Sequence, residues 1–352
     1  MRARIKYREI YGELKSRIHD GVYPPGSRIP SQNELMEQFE ASFSTISRAL
    51  QELVMDGYIH RINGKGTFVS ERHNKTGKAK TRQIGLVICS LDSRGGMLLG
   101  LLLGAFERET RELGYQLVIS SSGGDASKER EAIERMCENG VDGIVIWYIG
   151  GERNLDVIER LKTTSVPFSL IDRYLPSIPT DYVVTDNYLG GLEAGRFLAR
   201  MSPARILFFG LNEISTSVYD RTRGFRDAMA EAGLKEASDA LFLTVESSQG
   251  AYKLALRMLA GMPSPLGIFA INEPVFTEVF KALSEAGRLG SSFLSCFDEL
   301  YVPVPSSIPF LNVLQPHEQI AAAAVKALDG RIRGGNVSTQ LSIPPVFATS
   351  GV

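Results

Sequence analysis

Residues 26–69 read GSRIPSQNELMEQFEASFSTISRALQELVMDGYIHRINGKGTFV, and the rest of the chain is organised around them. In SFSTISRALQELVMDG, Ile46, Ala49, Leu50, Leu53 and Val54 recur at i, i+3, i+4, i+7 and i+8, one apolar stripe on an α-helix. Ser42 is placed to cap its start and Gly57 follows its end. Its other face carries Ser44, Thr45, Ser47, Arg48 and Gln51. A helix about 10–12 Å across fits the major groove of duplex DNA, where hydroxyls and an Arg reach phosphates and base edges. The preceding helix is expected from Ser31, with Glu34 three residues on as a capping box and Leu35, Met36 and Phe39 as its buried face. Further back, Tyr7, Ile10, Tyr11, Leu14 and Ile18 make another helical stripe. After the second short helix, the β-prone runs Tyr58–Ile62 and Thr67–Val69 flank Asn63-Gly64-Lys65-Gly66, a strong hairpin signal. The spacing therefore predicts a helix-turn-helix with a wing, Lys65 standing at the wing tip between two glycines.

The segment resembles the winged-helix DNA-binding domain of the GntR family. The matching pieces are Pro25-Gly26, Ile29-Pro30-Ser31, Asn33-Glu34-Leu35, Thr45-Ile46, Ala49-Leu50, Leu53, Asp56-Gly57 and Gly64-Lys65-Gly66-Thr67-Phe68-Val69, in the right order at the right spacing. The resemblance implies that Ser42, Ser44, Thr45 and their neighbours face DNA and that the Lys65–Gly66 tip enters the minor groove. The DNA-facing set is then Arg28, Ser31, Gln32, Asn33, Ser42, Ser44, Thr45, Ser47, Arg48, Lys65 and Gly66. Where the family usually carries Arg, this chain has Phe43 and Ser47, so two contacts are missing and the family's operator sequence does not transfer. Arg48, Gln32 and Asn33 are the available substitutes.

Charge agrees with that placement. The net charge of −1 conceals a balance of +6 over residues 1–82 and −7 over the remainder. Such asymmetry points to nucleic acid at one end only. At 352 residues, 43% hydrophobic and 22% charged, the chain has room for two or three ordinary globular domains. Cys89, Cys137 and Cys296 are few and far apart, with no CxxC or Cys/His metal spacing, so buried reduced thiols are expected. His19, His60 and His73 share the basic end without metal spacing. No metal or cofactor is expected. Gly64-Lys65-Gly66-Thr67 lacks the leading glycine of a phosphate loop. No apolar run reaches the length of a membrane span, and the basic N-terminus has no apolar stretch behind it, so a cytoplasmic protein is expected.

Residues 71–82, ERHNKTGKAKTR, contain no aliphatic core residue and read as a linker. From Ile84 apolar strands alternate with helices: IGLVICS, Leu98–Leu113, QLVIS, Ser127–Asn139, GIVIW, Leu155–Lys162 and PFSLID. The pattern repeats as YVVTD, Gly190–Ala199, ARILFFG, Arg221–Ala232, ALFLTV, Ala251–Leu259, LGIFAIN, Pro274–Ala286 and SFLSCFD. This is the grammar of doubly wound parallel α/β sheets. Two such lobes suit a hinged clamshell with a ligand at the carboxyl ends of the strands. Several strands end in polar residues: Asp172-Arg173, Asn272-Glu273 and Asp298-Glu299. Arg221 follows another, and Ser90 and Asp92 follow the first. Carboxylates, an Asn and an Arg offer acceptors and donors to neighbouring hydroxyls. Trp147 is either a flat face for a sugar ring or core packing. Asp172, Asn272 and Asp298 are either ligand contacts or helix caps.

A second resemblance covers about residues 84–352: the effector-binding domain of LacI-type repressors, related to periplasmic sugar-binding proteins. It rests on Val184…Asp186-Asn187…Gly190-Gly191, Arg221…Gly224-Phe225, Phe269-Ala270-Ile271-Asn272-Glu273, Phe297-Asp298-Glu299 and Val313…Gln315-Pro316. It implies that Asp172, Arg221, Asn272 and Asp298 take ligand-contacting places, in a set completed by Ser90, Asp92, Trp147, Arg173 and Gln315. Glu273 replaces the family's usual Asp, and Cys296 its usual Gly. A GntR-like reader joined to a LacI-like sensor is the arrangement of the arabinose-repressor-like regulators. The expected layout is a winged helix over 1–70, a linker over 71–82 and a two-lobed periplasmic-binding-protein-like α/β domain over 83–352. Lobe one takes about 83–180 and 316–338, and lobe two about 181–315 and 339–352. The expected function is repression of carbohydrate genes by a homodimer, joined through the C-terminal domain, that binds a DNA operator and a small sugar-like effector, with no membrane partner. The alternative is a sugar- or nucleotide-metabolising enzyme, since the fold hosts many. Against it, no nucleophile elbow, Walker loop, metal cluster or His-centred acid–base pair is present, and His317 is the sole His of the rear portion. A plain sugar carrier is opposed by the basic head.

Overall fold

The structure, a computed structural model, describes residues 2–62, 65–70, 81–89, 96–212, 215–236, 238–300 and 302–351, with backbone alone at 2–6, 19, 55 and 96–98. The chain forms two compact units, Met1–Thr81 and Arg82–Val352. The expected linker lies, for residues 71–80, outside the described residues, as do Asn63-Gly64 of the wing and the candidate ligand residues Ser90 and Asp92.

The first unit runs α1 (Arg2–His19), α2 (Gln32–Phe39), α3 (Phe43–Met55), β1 (Ile59–Ile62) and β2 (Gly66–Val69). The capping box at α2 is complete: Ser31 Oγ accepts from Glu34 N at 3.4 Å, and the Glu34 carboxylate accepts from Ser31 N at 2.6 Å. The Ser31 backbone N–H, followed by the Ser31 hydroxyl, holds the Glu34 carboxyl below its usual range. Ser42 caps α3 by accepting from Thr45 N. Ile46, Ala49, Leu50 and Leu53 are buried and share a core with Ile10 and Leu14 of α1, Leu35 of α2 and Ile59 and Val69 of the hairpin. Val54, the fifth residue of the predicted stripe, stays 36% exposed at its edge. The hairpin pairs Ile59 with Val69 and Ile62 with Gly66, and an Arg28–Phe68 bridge lays the approach to α2 alongside β2.

The second unit continues with β3 (Gln83–Ile88), α4 (Gly96–Glu112), β4 (Gln116–Ser121), α5 (Ala126–Asn139), β5 (Gly143–Trp147), α6 (Leu155–Lys162), β6 (Phe168–Ile171) and β7 (Tyr182–Thr185). Next come α7 (Asn187–Arg200), β8 (Arg205–Leu211), α8 (Thr216–Glu231), β9 (Ala240–Val245), α9 (Ser248–Leu259), β10 (Leu266–Ala270), α10 (Glu273–Glu285), β11 (Ser292–Phe297), β12 (Phe310–Leu314), α11 (His317–Ile332), β13 (Gln340–Ile343) and β14 (Val346–Ser350). Two six-stranded sheets result, ordered β13-β7-β6-β5-β3-β4 and β14-β12-β11-β10-β8-β9. Every described pairing is parallel except β12–β14. Both faces of each sheet are covered by helices, which explains why β3, β5, β6 and β10 are buried along nearly their whole length and, apart from Gln83 and Ser169, carry no polar side chain.

The lobe boundaries require correction. Residues 182–185 and 340–343 were assigned to lobe two by pattern, yet β7 pairs with β6 and β13 with β7, so both strands belong to lobe one. Val183 and Ile343 are buried in the lobe-one core, while Phe197 and Leu198 of α7 are buried in that of lobe two. One strand–helix unit is thus divided between lobes, and a strand followed by a helix looks the same whether or not the chain crosses over between them. The three crossings fall between β7 and α7, β12 and α11, and β13 and β14.

Candidate functional site

Arg221 is fixed by the close approach of two helices. A Cβ on Gly191 of α7 would lie 2.0 Å from the Arg221 carbonyl oxygen, and one on Gly224 of α8 would lie 2.1 Å from that of Tyr188. Only glycine allows the helices this near. Arg221 does not begin its helix, as sequence periodicity suggested; α8 starts at Thr216, with Ser215 Oγ accepting from Val218 N. The polar opening turn, Thr-Ser-Val-Tyr-Asp, carries no apolar period to announce itself.

The Arg221 side chain is buried, and each edge of its guanidinium is engaged. Nε donates to Asn187 Oδ1 and Nη1 to the Ile271 carbonyl, both at 2.8 Å. Nη2 stands 3.7 Å from Asp298 Oδ1, and the group lies 3.6 Å from the Phe297 ring centroid. Asp298 also accepts from Gln315 Nε2 at 2.7 Å, and Gln315 Oε1 accepts from Thr185 Oγ1 at 2.8 Å. The cleft's donors and acceptors are thereby tied to two of the three crossings. Burial pushes the Asp298 carboxyl above its usual range although Arg221 and Gln315 pull the other way. Glu273, in the first turn of α10, is buried too; it accepts from Thr277 Oγ1 at 2.6 Å, and desolvation raises its carboxyl, with Asp298 adding to the rise.

From lobe one come Asp172 and Arg173. Arg173 Nε donates to Asp172 Oδ2 at 2.9 Å and Nη1 to the Ile149 carbonyl at 2.6 Å. Asp172 and Asp298, each the first residue after a strand, both adopt left-handed backbone, φ +65 and +78. Aspartate tolerates that region better than most residues, but a cost of roughly 1–3 kcal/mol at each is typical of ligand-binding turns. Asn272 is the N-cap of α10, accepting from Val275 N at 3.1 Å, so the capping reading applies to it. Trp147 is half-buried against the lobe-one core, with its indole Nε1 buried and unpartnered. The structure thus brings together Asp172, Arg173, Arg221, Asp298 and Gln315, and adds Asn187, Glu273 and Phe297. Those three lay within the quoted family strings, but no periodicity sets them apart from ordinary helix starts and core residues.

A depression of about 390 Å³ lies away from these residues, at the amino-terminal ends of β6 and β7, lined by Lys162, Thr180, Asp181 and Arg331 among others. Asp181 there accepts from Ser338 Oγ and Thr339 N and pairs with Arg331, so its carboxylate serves to anchor the entry to β13. Among the described residues no group of three or more His, Cys, Asp or Glu is placed to hold a metal ion. Cys296 is buried, with its thiol pushed up by desolvation, whereas Cys89 and Cys137 are only half-buried, less enclosed than expected.

On the first unit, Ser42 Oγ lies 3.0 Å from Ser44 Oγ and 2.8 Å from Thr45 Oγ1, a hydroxyl cluster at the amino end of α3. The positive end of a helix dipole with hydroxyls clustered at it suits a phosphate. Ser42, Ser44, Asn33 and Lys65 are exposed; Ser31, Gln32, Thr45, Ser47 and Gly66 are half-buried. Arg48 is exposed but engaged: its guanidinium sits 4.3 Å from the Tyr7 ring centroid and 3.9 Å from Glu52. Arg28 packs over Gly66, where φ is +119 and an added Cβ would meet its Nε at 2.7 Å. Phe43, at a place where Arg is usual, is 56% exposed.

These two sites define a reader module joined to a clamshell sensor. Residues 101–300 match the family model for the periplasmic binding protein domain, more than half of the chain, and the chain belongs to that family. Residues 6–69 match the model for bacterial regulatory proteins of the gntR family. Among similar proteins is the arabinose metabolism transcriptional repressor of Halalkalibacterium halodurans, 24% identical over 334 residues, spanning 92% of this chain and 88% of that protein. Among solved structures, a putative ribose operon repressor from Burkholderia thailandensis superposes with a TM-score of 0.65 at 23% identity, over 77% of this chain and all of that one. The Cra transcriptional dual regulator from Pseudomonas putida, in complex with fructose 1-phosphate, gives a TM-score of 0.65 at 21% identity, over 77% of this chain and 99% of that one. No described helix is long and apolar enough to cross a membrane.

Proposed function

We propose that this chain is a ligand-responsive transcriptional repressor of carbohydrate genes, working in the cytoplasm as a homodimer joined through residues 83–352. Similarity to an arabinose metabolism repressor along both units together, over 92% of this chain, is the observation that carries the reading. Two-fold symmetry presents two α3 helices to a pseudo-palindromic operator, with half-sites one helical turn or a multiple apart. Ser42, Ser44, Thr45 and Lys65 contact the duplex, and Arg48 exchanges Tyr7 and Glu52 for phosphate.

The effector is a small sugar or polyol held between the lobes. The cleft sets three carboxylates, Asp172, Glu273 and Asp298, beside two arginines whose donors are already engaged. Such a surface is richer in acceptors than in free donors, and hydroxyl groups supply donors. Effector binding alters operator affinity only by its differential affinity for the two states, typically a coupling of about 1–3 kcal/mol. The decisive experiment is a gel-shift titration with duplexes from the chain's own genomic neighbourhood, with and without pentoses, hexoses and their phosphates. One duplex bound well above the rest, with affinity changed by one sugar class, is expected. Uniform binding to all duplexes at low salt, or turnover of a sugar with NAD or ATP, sinks the proposal.

A further inference from the structure

Away from the three crossing segments, side-chain hydrogen bonds between the lobes centre on Tyr174. This residue stands just after Asp172 and Arg173 in lobe one. Its hydroxyl donates to Asp220 Oδ2 at 3.0 Å, on α8 of lobe two. Its backbone N donates to Thr216 Oγ1 at 3.0 Å, and the Thr216 hydroxyl donates back to the Tyr174 carbonyl at 3.4 Å. One residue thus makes three bonds across the lobes, to two residues one turn apart on one helix face. The ring is braced from behind by Tyr182 of β7, with centroids 4.9 Å apart and planes at 24°.

We propose that Tyr174, Thr216 and Asp220 form a strap that holds the two halves of the cleft in register. Tyr174 directly follows the Asp172–Arg173 pair, and Asp220 directly precedes Arg221. Fixing Tyr174 to Asp220 therefore fixes the lobe-one part of the site against the residue at the centre of the lobe-two part. None of the three strap residues need touch the effector; all are positioning residues.

Chemistry supports an enclosed bond. Asp220 is buried, and desolvation raises its carboxyl. The Tyr174 phenol is pushed up to about 12 by burial and by the Asp220 charge, so it keeps its proton and remains the donor. Arg223 Nη2, 3.2 Å from Asp220 Oδ1, occupies the other carboxylate oxygen and leaves Oδ2 for the phenol. An effector's apparent affinity scales with the fraction of chains already in the binding-competent arrangement, and the strap raises that fraction.

The inference rests on the reading of the interlobe cleft as an effector site, but its test needs neither effector nor DNA. Amide hydrogen exchange is followed in the full-length protein without ligand, for wild type, Tyr174→Phe, Asp220→Ala, Asp220→Asn and the Tyr174→Phe/Asp220→Ala double variant. Tyr174→Phe and Asp220→Ala should each speed exchange at least fivefold in segments 172–178 and 215–222. Segments 84–88, 143–147, 206–210 and 266–270 of the two sheets should stay as slow as in wild type. Asp220→Asn keeps an acceptor and should fall close to wild type. The double variant should exchange no faster than the faster single, because both remove the same bond. Unchanged exchange in Tyr174→Phe, or a double variant whose acceleration is the product of the two singles, overturns the strap. Should Asp220→Ala loosen both sheets throughout, Tyr174→Phe decides alone, since it deletes one oxygen and nothing else. A protein that shows the strap yet binds no sugar would refute the proposed effector and leave the strap standing.

Discussion

Asp298 shows how much a single buried carboxylate can be made to do. It is surrounded by Arg221, Gln315 and the Phe297 ring, yet burial still lifts its carboxyl above the usual range. Removing its charge while keeping its shape therefore relieves desolvation in the fold and removes an ionic acceptor from the site. Asp298→Asn should leave the thermal midpoint unchanged or raised, and should weaken calorimetric binding of whichever sugar alters operator affinity by tenfold or more. Unchanged sugar affinity would remove Asp298 from the effector site. At the other end of the chain, Lys65 is exposed at the wing turn, whereas Arg48 must first leave the Tyr7 ring and Glu52. Lys65→Ala should lower operator affinity evenly across sequences and reduce the slope of log affinity against log salt by about 1, the signature of one lost phosphate contact. An unchanged slope in gel shifts at several salt concentrations would take Lys65 off the DNA. Asp298 was legible in the sequence as a polar strand end. Asn187 was not, because an Asn opening a helix looks like any cap until Arg221 is seen donating to it.

Between elements, the decisive contact is that of α7 with α8. Gly191, Gly195 and Gly224 bring the two helices so near that Arg221 is held within hydrogen-bond reach of Asn187. A methyl on Gly224 would meet the Tyr188 carbonyl, a backbone atom that cannot rotate away. Gly224→Ala should cost about 1–3 kcal/mol, the usual penalty of overpacking, measured as a fall in the denaturant midpoint at constant slope. It should also weaken effector binding, since the helices can part only by moving Arg221. A variant as stable as wild type would show that the pair yields without strain. Sequence periodicity located most strands and helices of the rear unit, down to the four-residue β6 and β7, because apolar runs there alternate with polar turns. It misassigned β7 and β13 to lobe two because membership of a sheet is decided by pairing, β7 with the β6 just before it and β13 with the β7 far upstream, and the alternation of strand and helix records neither. The capping box at Ser31 and the N-cap at Ser42, conversely, were legible to the residue, since a cap is local chemistry.

At the scale of the molecule, two units with separate hydrophobic cores carry two different ligands, and that separation has a thermodynamic consequence. Among the described residues, the core around Leu14, Leu35, Ile46 and Leu53 contains none beyond Val69, and the cores of the two lobes contain none before Ile84. Each unit should therefore unfold in its own transition, and each ligand should act first on the unit that binds it. A ligand present at a hundred times its dissociation constant stabilises the folded form by about 2.7 kcal/mol. An operator duplex should raise the transition of the smaller unit, and the effector sugar that of the larger, each by an amount that calorimetry resolves. When both are added, a repressor released by its effector should show the two stabilisations falling short of additivity by the coupling free energy, about 1–3 kcal/mol. The shortfall must be the same whichever ligand is added first, because coupling between binding sites is reciprocal. Strict additivity at every concentration would mean that the clamshell and the reader ignore each other, and the chain would then be a DNA-binding protein that happens to hold a sugar.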